Sequence, residues 1–321
     1  MRASATNGSR VTVIGCVQAD VLMSPVTELP SAGATLLTDQ MSIRIGGAGA
    51  NAALAFAEAG VPVRLMGCLG EDQLGRWMRE QLGPAGLADE LVVLPDAQTG
   101  LTVALESPER DRTFLTYLGV NARWEAAMIP ADALRCENLL LCDYFVAPAL
   151  QGDAARGLLT TARNAGTRTF FDTAWDPDGF PALTRAEVCG LLPWVDVFLP
   201  NEAEARALAN LDGTAEAARA LQAASGGWVV VKLGARGCLA VGPDGAEILV
   251  PTQASAVADT TGAGDAFNAG LIHALSGGAD WREALDAANR FAVAIISRPS
   301  NDRHRLPLLD SSAKVNPSPC R

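Results

Sequence analysis

Continuous apolar runs alternate along the chain with stretches whose apolar positions recur at helical spacing. The runs fall at residues 11–16, 63–67, 139–143, 169–172, 195–199, 228–233 and 238–241, the pattern of strands covered on both faces of a mostly parallel sheet. Helical spacing covers 50–58, 72–82, 152–164, 202–209, 215–224, 264–275 and 281–296. Strands alternating with helices predict a doubly wound α/β sandwich. Two segments break this order. Residues 40–45 alternate strictly, with Met41, Ile43 and Ile45 on one face and Gln40, Ser42 and Arg44 on the other. Residues 99–118 read as two strands around a turn at 107–111. Such half-buried alternation suits a small antiparallel sheet with one face open. The two segments together predict one appendage: a lid over an active site, or a flap that pairs two copies.

Composition narrows the function classes. The chain has 321 residues, 49% hydrophobic and 19% charged, which is ample apolar material for a globular core. Its net charge of −11 disfavours nucleic acid and anionic membrane surfaces as partners. No run of 18 apolar residues occurs, so no segment is expected to span a membrane. The seven cysteines are odd in number and lack CxxC spacing, as expected of reduced thiols in a cytoplasmic protein. His273 and His304 are too few for a three-histidine zinc site. Residues 1–10 and 306–321 read as tails flanking one domain at 11–305, with the lid drawn from about 21–45 and 99–118.

Two glycine clusters carry the candidate chemistry. The first, Gly46-Gly47-Ala48-Gly49-Ala50-Asn51, follows a strand and opens a helix. Glycines there allow a sharp turn and close ligand approach, and N–H groups at a helix start suit hydroxyls. Asn51 adds a side chain that both donates and accepts. Gly47-x-Gly49-x-x-Ala52 also fits a dinucleotide fingerprint, which would make the chain an NAD-dependent oxidoreductase. That fingerprint belongs after the first strand and wants an acidic residue closing the next one; here a strand already precedes it, and the next closes at Gly67-Cys68. The second cluster is Asp259-Thr260-Thr261-Gly262-Ala263-Gly264-Asp265, leading into a helix. A helix N-terminus among small residues is a natural seat for phosphate oxygens. Asp265, in the first turn, could take a proton from a substrate hydroxyl beside it.

Together these motifs resemble the ribokinase-type, or phosphofructokinase-B-type, carbohydrate kinases. Two intermediate motifs also match: Pro200-Asn201-Glu202-Ala203-Glu204 and Lys232-Leu233-Gly234-Ala235-Arg236-Gly237. The resemblance covers roughly residues 11–297 and implies a ribokinase-like three-layer α/β sandwich with a small antiparallel β lid. It implies an ATP-dependent phosphotransferase acting on a hydroxyl of a small sugar. Asp265 would be the catalytic base, with Gly262, Ala263 and Gly264 as the anion hole. Asp20, Gln18, Gly46, Gly47 and Asn51 would bind sugar. Lys232, Gly234, Gly237, Thr260 and Thr261 would lie along the nucleotide. Asn201 and Glu204, at i and i+3 on one helical face, would organise Mg²⁺ through water, and Asp259 would serve a monovalent cation such as K⁺. A homodimer through the lid is also expected.

Three departures from the family pattern are visible. Gln18 stands where ribokinase has Asn, and Ala48 where the first signature often has Lys, which disfavours a sugar-phosphate substrate. Ser297-Arg298-Pro299-Ser300-Asn301 lacks the Gly-Ala pair that builds the adenine edge and the cation site. A nucleoside kinase of the same fold, and a catalytically silent sugar-binding protein, remain the alternatives.

Overall fold

The computed structural model describes residues 10–106, 113–252 and 260–298. In chain order the elements are β1 (Val11–Ile14), β2 (Gln18–Ser24), β3 (Gln40–Gly46), α1 (Ala48–Glu58), β4 (Val63–Met66), β5 (Cys68–Gly70), α2 (Gln73–Leu82), β6 (Val92–Leu94), β7 (Gly100–Leu105), β8 (Thr113–Tyr117), β9 (Asn138–Leu141), α3 (Asp153–Asn164), β10 (Arg168–Phe171), α4 (Ala182–Leu191), β11 (Val197–Phe198), α5 (Glu202–Ala209), α6 (Thr214–Ser225), β12 (Trp228–Lys232), β13 (Cys238–Val241), β14 (Glu247–Val250), α7 (Ala263–Ser276) and α8 (Trp281–Ile296).

Eight strands make the central sheet, in the order β14-β13-β12-β11-β10-β9-β1-β4. From β4 to β12 every pairing is parallel; β13 and β14 return antiparallel at one edge. Alternate residues of each strand serve opposite layers. Leu140, Phe170 and Val230 pack with α1, α7 and α8, whereas Leu139, Leu141, Phe171 and Val229 pack with α3, α5 and α6. That two-sided burial is why these strands are continuous apolar runs. Among the named elements β2, β5, β6, α4 and β14 lie outside the predicted set. Of α4 only Val188 and Leu191 are buried, and β14 is an edge strand with Val250 alone buried, so neither leaves a strong pattern.

The register places the chemistry. Ile14 pairs with Leu141 and Leu141 with Phe171, so β1, β9 and β10 end level. The chain leaving them carries Cys16, Asp143 and Asp172 to the same carboxyl edge. Lys232, closing β12, bridges in parallel to Asn201 and joins them there. Ligands of open α/β sheets bind outside this edge.

The interrupting segments build a second sheet, in the order β3-β2-β7-β8. Its outer pairings are antiparallel, but the central β2–β7 pair is parallel. The long crossover from β2 to β7, through α1 and α2, lets both strands enter from the same end. One face turns toward the body, with Gln18, Leu22, Arg44, Thr102 and Ala104 buried. Met41, Ile43, Leu115 and Tyr117 stay exposed on the other. Ile45 does not share that exposure: it is 3% accessible, because β3 meets the core at that point. The turn expected at 107–111 lies outside the described residues. The described cysteines are all free thiols, four of them buried; Cys320 lies outside the described residues.

Candidate active site

Asp265 sits where the two glycine clusters meet. Gly262, with a left-handed φ of 78°, turns the chain into α7. A Cβ there would stand 4.0 Å from the Asn51 amide, so the start of α7 lies against α1. The Asn51 side chain hydrogen-bonds Asp265. Burial pushes the Asp265 carboxyl up to about 8; Asp172 and Asp143 add to the rise, while Lys232 and the Asn51 hydrogen bond oppose it. Gly262, the N-cap of α7, has no side chain with which to cap the N–H groups of the first turn.

On one side of Asp265 lies a cavity of about 480 Å³. Lys232, Gly234, Gly237, Thr260, Ala263 and Gly264 line it, as do Phe267, Asn289, Ala292, Val293 and Ile296. The sequence-predicted nucleotide residues are thus brought together, Thr261 excepted; it lines the opposite pocket described below. Lys232 Nζ donates to Asp172 Oδ2 at 2.5 Å, and Asn268 Nδ2 donates to the same oxygen at 2.6 Å. Burial works against the Lys232 charge, but Asp172, Glu204 and Asp265 outweigh it and hold the ammonium above its usual range. Asp172, Asn268 and Asn289 were not singled out from sequence. For Asp172 and Asp143 a signal existed: each ends an apolar run, so a buried parallel strand would deliver its carboxylate to the sheet's active edge.

The expected metal pair has a different local geometry. Asn201 is not on the helical face but is the N-cap of α5, and with Glu204 it forms a capping box. Asn201 Oδ1 accepts from the Glu204 N–H at 2.9 Å, and Glu204 Oε2 accepts from the Asn201 N–H at 2.8 Å. Glu204 Oε1 accepts from Asn201 Nδ2 at 2.6 Å. Burial raises the Glu204 carboxyl, Asp172 adding to the rise and Lys232 opposing it. Among the described residues no three His, Cys, Asp or Glu side chains form a metal cage. Hard oxygen donors are nevertheless present, which suits Mg²⁺ held largely by phosphates and water rather than by protein alone.

On the other side of Asp265, the four-stranded sheet presents polar groups. Asp20 lies over Gly46: a Cβ at Gly46 would fall 2.1 Å from its carboxylate. Gln18 Nε2 donates to Thr102 Oγ1 at 2.7 Å and to Asp20 Oδ1 at 3.4 Å. Asn121 Nδ2 reaches Gln18 Oε1 at 3.4 Å, and Thr102 and Thr116 share a hydrogen bond of 2.9 Å. Burial lifts the Asp20 carboxyl to about 6 against the Gln18 hydrogen bond and the Arg44 charge. A narrow pocket of about 40 Å³ runs between Arg44, Asn51, Thr261 and Gly262.

The first glycine loop serves packing more than ligand approach. A Cβ at Gly47 would stand 2.3 Å from the Cys16 carbonyl oxygen, so backbone, not open space, requires glycine there. The N–H groups at the start of α1 are also engaged. Asp143 Oδ2 accepts from Gly49 N–H at 2.9 Å and from Cys16 N–H at 2.8 Å, and the Ala48 N–H bonds the same carboxylate. The sequence reading that these N–H groups meet ligand hydroxyls is therefore corrected. Asp143, itself left-handed at φ 60°, ties α1 to the end of β1. Burial raises its carboxyl to about 6, those backbone hydrogen bonds opposing the rise.

Asp259 lies outside the described residues. Where the family's Gly-Ala pair would follow α8, Arg298 instead forms an ion pair with buried Glu58 of α1.

Comparison with known proteins gives this geometry a context. The model of the pfkB family carbohydrate kinases matches residues 8–306. The 1-phosphofructokinase of Rhodobacter capsulatus is 32% identical over 268 residues, covering 79% of this chain and 80% of that protein. The structure of Arabidopsis thaliana ribokinase complexed with ribose and ATP is 26% identical, with a TM-score of 0.74 over 90% of this chain and 92% of that one. A putative ribokinase II from E. coli, solved with ATP and Mg²⁺, shares the fold at 22% identity, with a TM-score of 0.76 over 91% of this chain and 94% of that one.

Proposed function

Because the chain belongs to the pfkB family of carbohydrate kinases, we propose that it transfers the γ-phosphoryl group of ATP to a hydroxyl of a small sugar, with Asp265 as general base. The observation that carries this reading is the position of Asp265, in the first turn of an uncapped helix between the large cavity and the polar face of the second sheet.

Asp265 takes the proton of the attacking hydroxyl. Its raised pKa is that of a base poised near neutral pH, not of an ordinary surface carboxylate. Asn51 orients the carboxylate. Gly262, Ala263 and Gly264 present the α7 N–H groups to the charge that grows on the transferred phosphoryl oxygens. Lys232, fixed by Asp172, adds a buried positive charge beside Gly264, whose Cβ position lies 3.5 Å from Nζ. Gly234, Gly237 and Thr260 line the nucleotide path, and Thr261 lines the pocket on the other side. Glu204, Asn201 and Asp172 would hold the water shell of a Mg²⁺ bound with ATP, which would supply charge neutralisation at the phosphates. Asp20, Gln18 and Asn51 position the sugar, with Gly46 and Gly47 allowing the loop its close fit.

The four-stranded sheet acts as a lid that excludes water, which would otherwise compete as acceptor. Its exposed Met41, Ile43, Leu115 and Tyr117 are covered by a second copy of the chain, a dimer that a solution mass of one chain would contradict. We place the enzyme in the cytoplasm, in keeping with its free thiols. Among the described residues no helix is long and apolar enough to cross a membrane.

The test is label transfer from γ-labelled ATP across a panel of sugars, sugar phosphates and nucleosides. Label on a neutral sugar supports the reading; label on nucleosides alone would replace it with a nucleoside kinase.

A further inference from the structure

A second cleft, of about 590 Å³, opens at the opposite edge of the central sheet, where β10 and β12 begin. Arg163, Arg168, Asp196 and Trp228 are among its lining residues. The Arg168 guanidinium lies over two rings, 5.5 Å from the centre of Phe170 and 5.6 Å from that of Trp281. Trp281 in turn stacks on Trp228 at 3.8 Å. These ring contacts engage the guanidinium through its π-system and not through its N–H groups, the part that pairs with oxyanions. Among the described residues, the Arg168 side chain makes neither a hydrogen bond nor an ion pair.

The one carboxylate lining the cleft is already committed. Asp196 Oδ2 accepts from the Thr169 N–H at 2.8 Å and from its hydroxyl at 3.0 Å, and Oδ1 lies 3.6 Å from Arg163. Arg163 also donates to the Pro193 carbonyl at 2.6 Å. Two guanidiniums against one carboxylate leave a surplus positive charge, in a chain whose net charge is −11. Burial depresses the Arg168 pKa, with Asp196 opposing, so the desolvation of this cation is not offset by a direct partner.

We propose that this cleft binds a small phosphate-bearing anion, held through paired N–H bonds by Arg168 with Arg163 alongside. The site stands at the far end of β10 from Asp172 and does not depend on the kinase reading.

The test titrates the full chain, with its arginine side chains labelled with ¹⁵N, against inorganic phosphate. Arg168→Met and Arg163→Met assign the two signals. Both are expected to shift saturably with one common Kd, which Arg168→Met weakens about tenfold, the loss of one charge-assisted pair. Lys232→Met, at the other edge, leaves that Kd unchanged. Arg168→Lys keeps the charge and the stem but loses the fork, and gives an intermediate Kd; it also serves if the Met variant fails to fold. A linear shift shared by all surface arginines, an adventitious ion only, would overturn the proposal. So would a saturable Kd that neither Arg168 variant changes.

Discussion

The two sides of Asp265 are built differently. The proposed nucleotide side is a cavity of about 480 Å³ lined by residues of β12, α7 and α8. The proposed sugar side is a hydrogen-bonded lattice of Gln18, Asp20, Thr102, Thr116 and Asn121 on the second sheet. One side rests on strands buried on both faces. The other rests on a sheet with one face open, attached through β2 and β3. The side built on the central sheet suits the common phosphoryl donor, and the attached sheet suits the acceptor. Substrate selection is therefore expected to rest on the second sheet, with Asn51 beside it.

The largest expected effect falls where the sides meet. Asp265→Asn removes the base from both and should lower turnover about 10³-fold, within the usual range for a general base, while ATP and sugar affinities stay near wild type. Steady-state kinetics with calorimetric binding separate these. A smaller, one-sided effect is expected from Asp172→Asn. It loosens Lys232 and Asn268 together, and kcat/KM for ATP should fall about 10²-fold with sugar affinity unmoved. Asp20→Asn is its mirror image. The KM for sugar should rise about tenfold, with the KM for ATP unchanged. Gly46→Ala should act in the same direction, because its Cβ would meet the Asp20 carboxylate. If either variant moved both KM values equally, the two sides would not be separable.

A separate effect, read without substrate, is on stability. The Asp265 carboxyl titrates at about 8 in the fold against an ordinary 3.8, so between those values the folded chain holds a proton that the unfolded chain releases. Stability is complete below 3.8 and declines as pH rises through 8. Asn carries no such loss. Asp265→Asn should therefore melt with wild type at acid pH and above it at pH 8. A thermal melt series over pH checks the sign.

The same contrast governs what could be read from sequence. The central strands were legible because burial on both faces makes each a continuous apolar run. The start of α7 was legible because its glycines and Asp265 lie within a few residues of one another. The attached sheet was legible only as alternation; β2 was hidden because Gln18, Asp20 and Val21 follow no simple pattern. Asp143, Asp172 and Asn268 escaped notice for another reason: they meet through tertiary structure, from the ends of β9 and β10 and the second turn of α7. Asn201 and Glu204 show the converse. Their spacing was visible, but i, i+3 is also the spacing of a capping box, and that is the geometry found.

The account stands most directly on the fate of one phosphoryl group. In a single turnover with γ-labelled ATP and a saturating acceptor sugar, wild type should place the label on the sugar hydroxyl rather than in free phosphate, and Asp265→Asn should do so about 10³-fold more slowly with both ligands bound. Label recovered only as inorganic phosphate, or an Asp265→Asn rate near that of wild type, would contradict it.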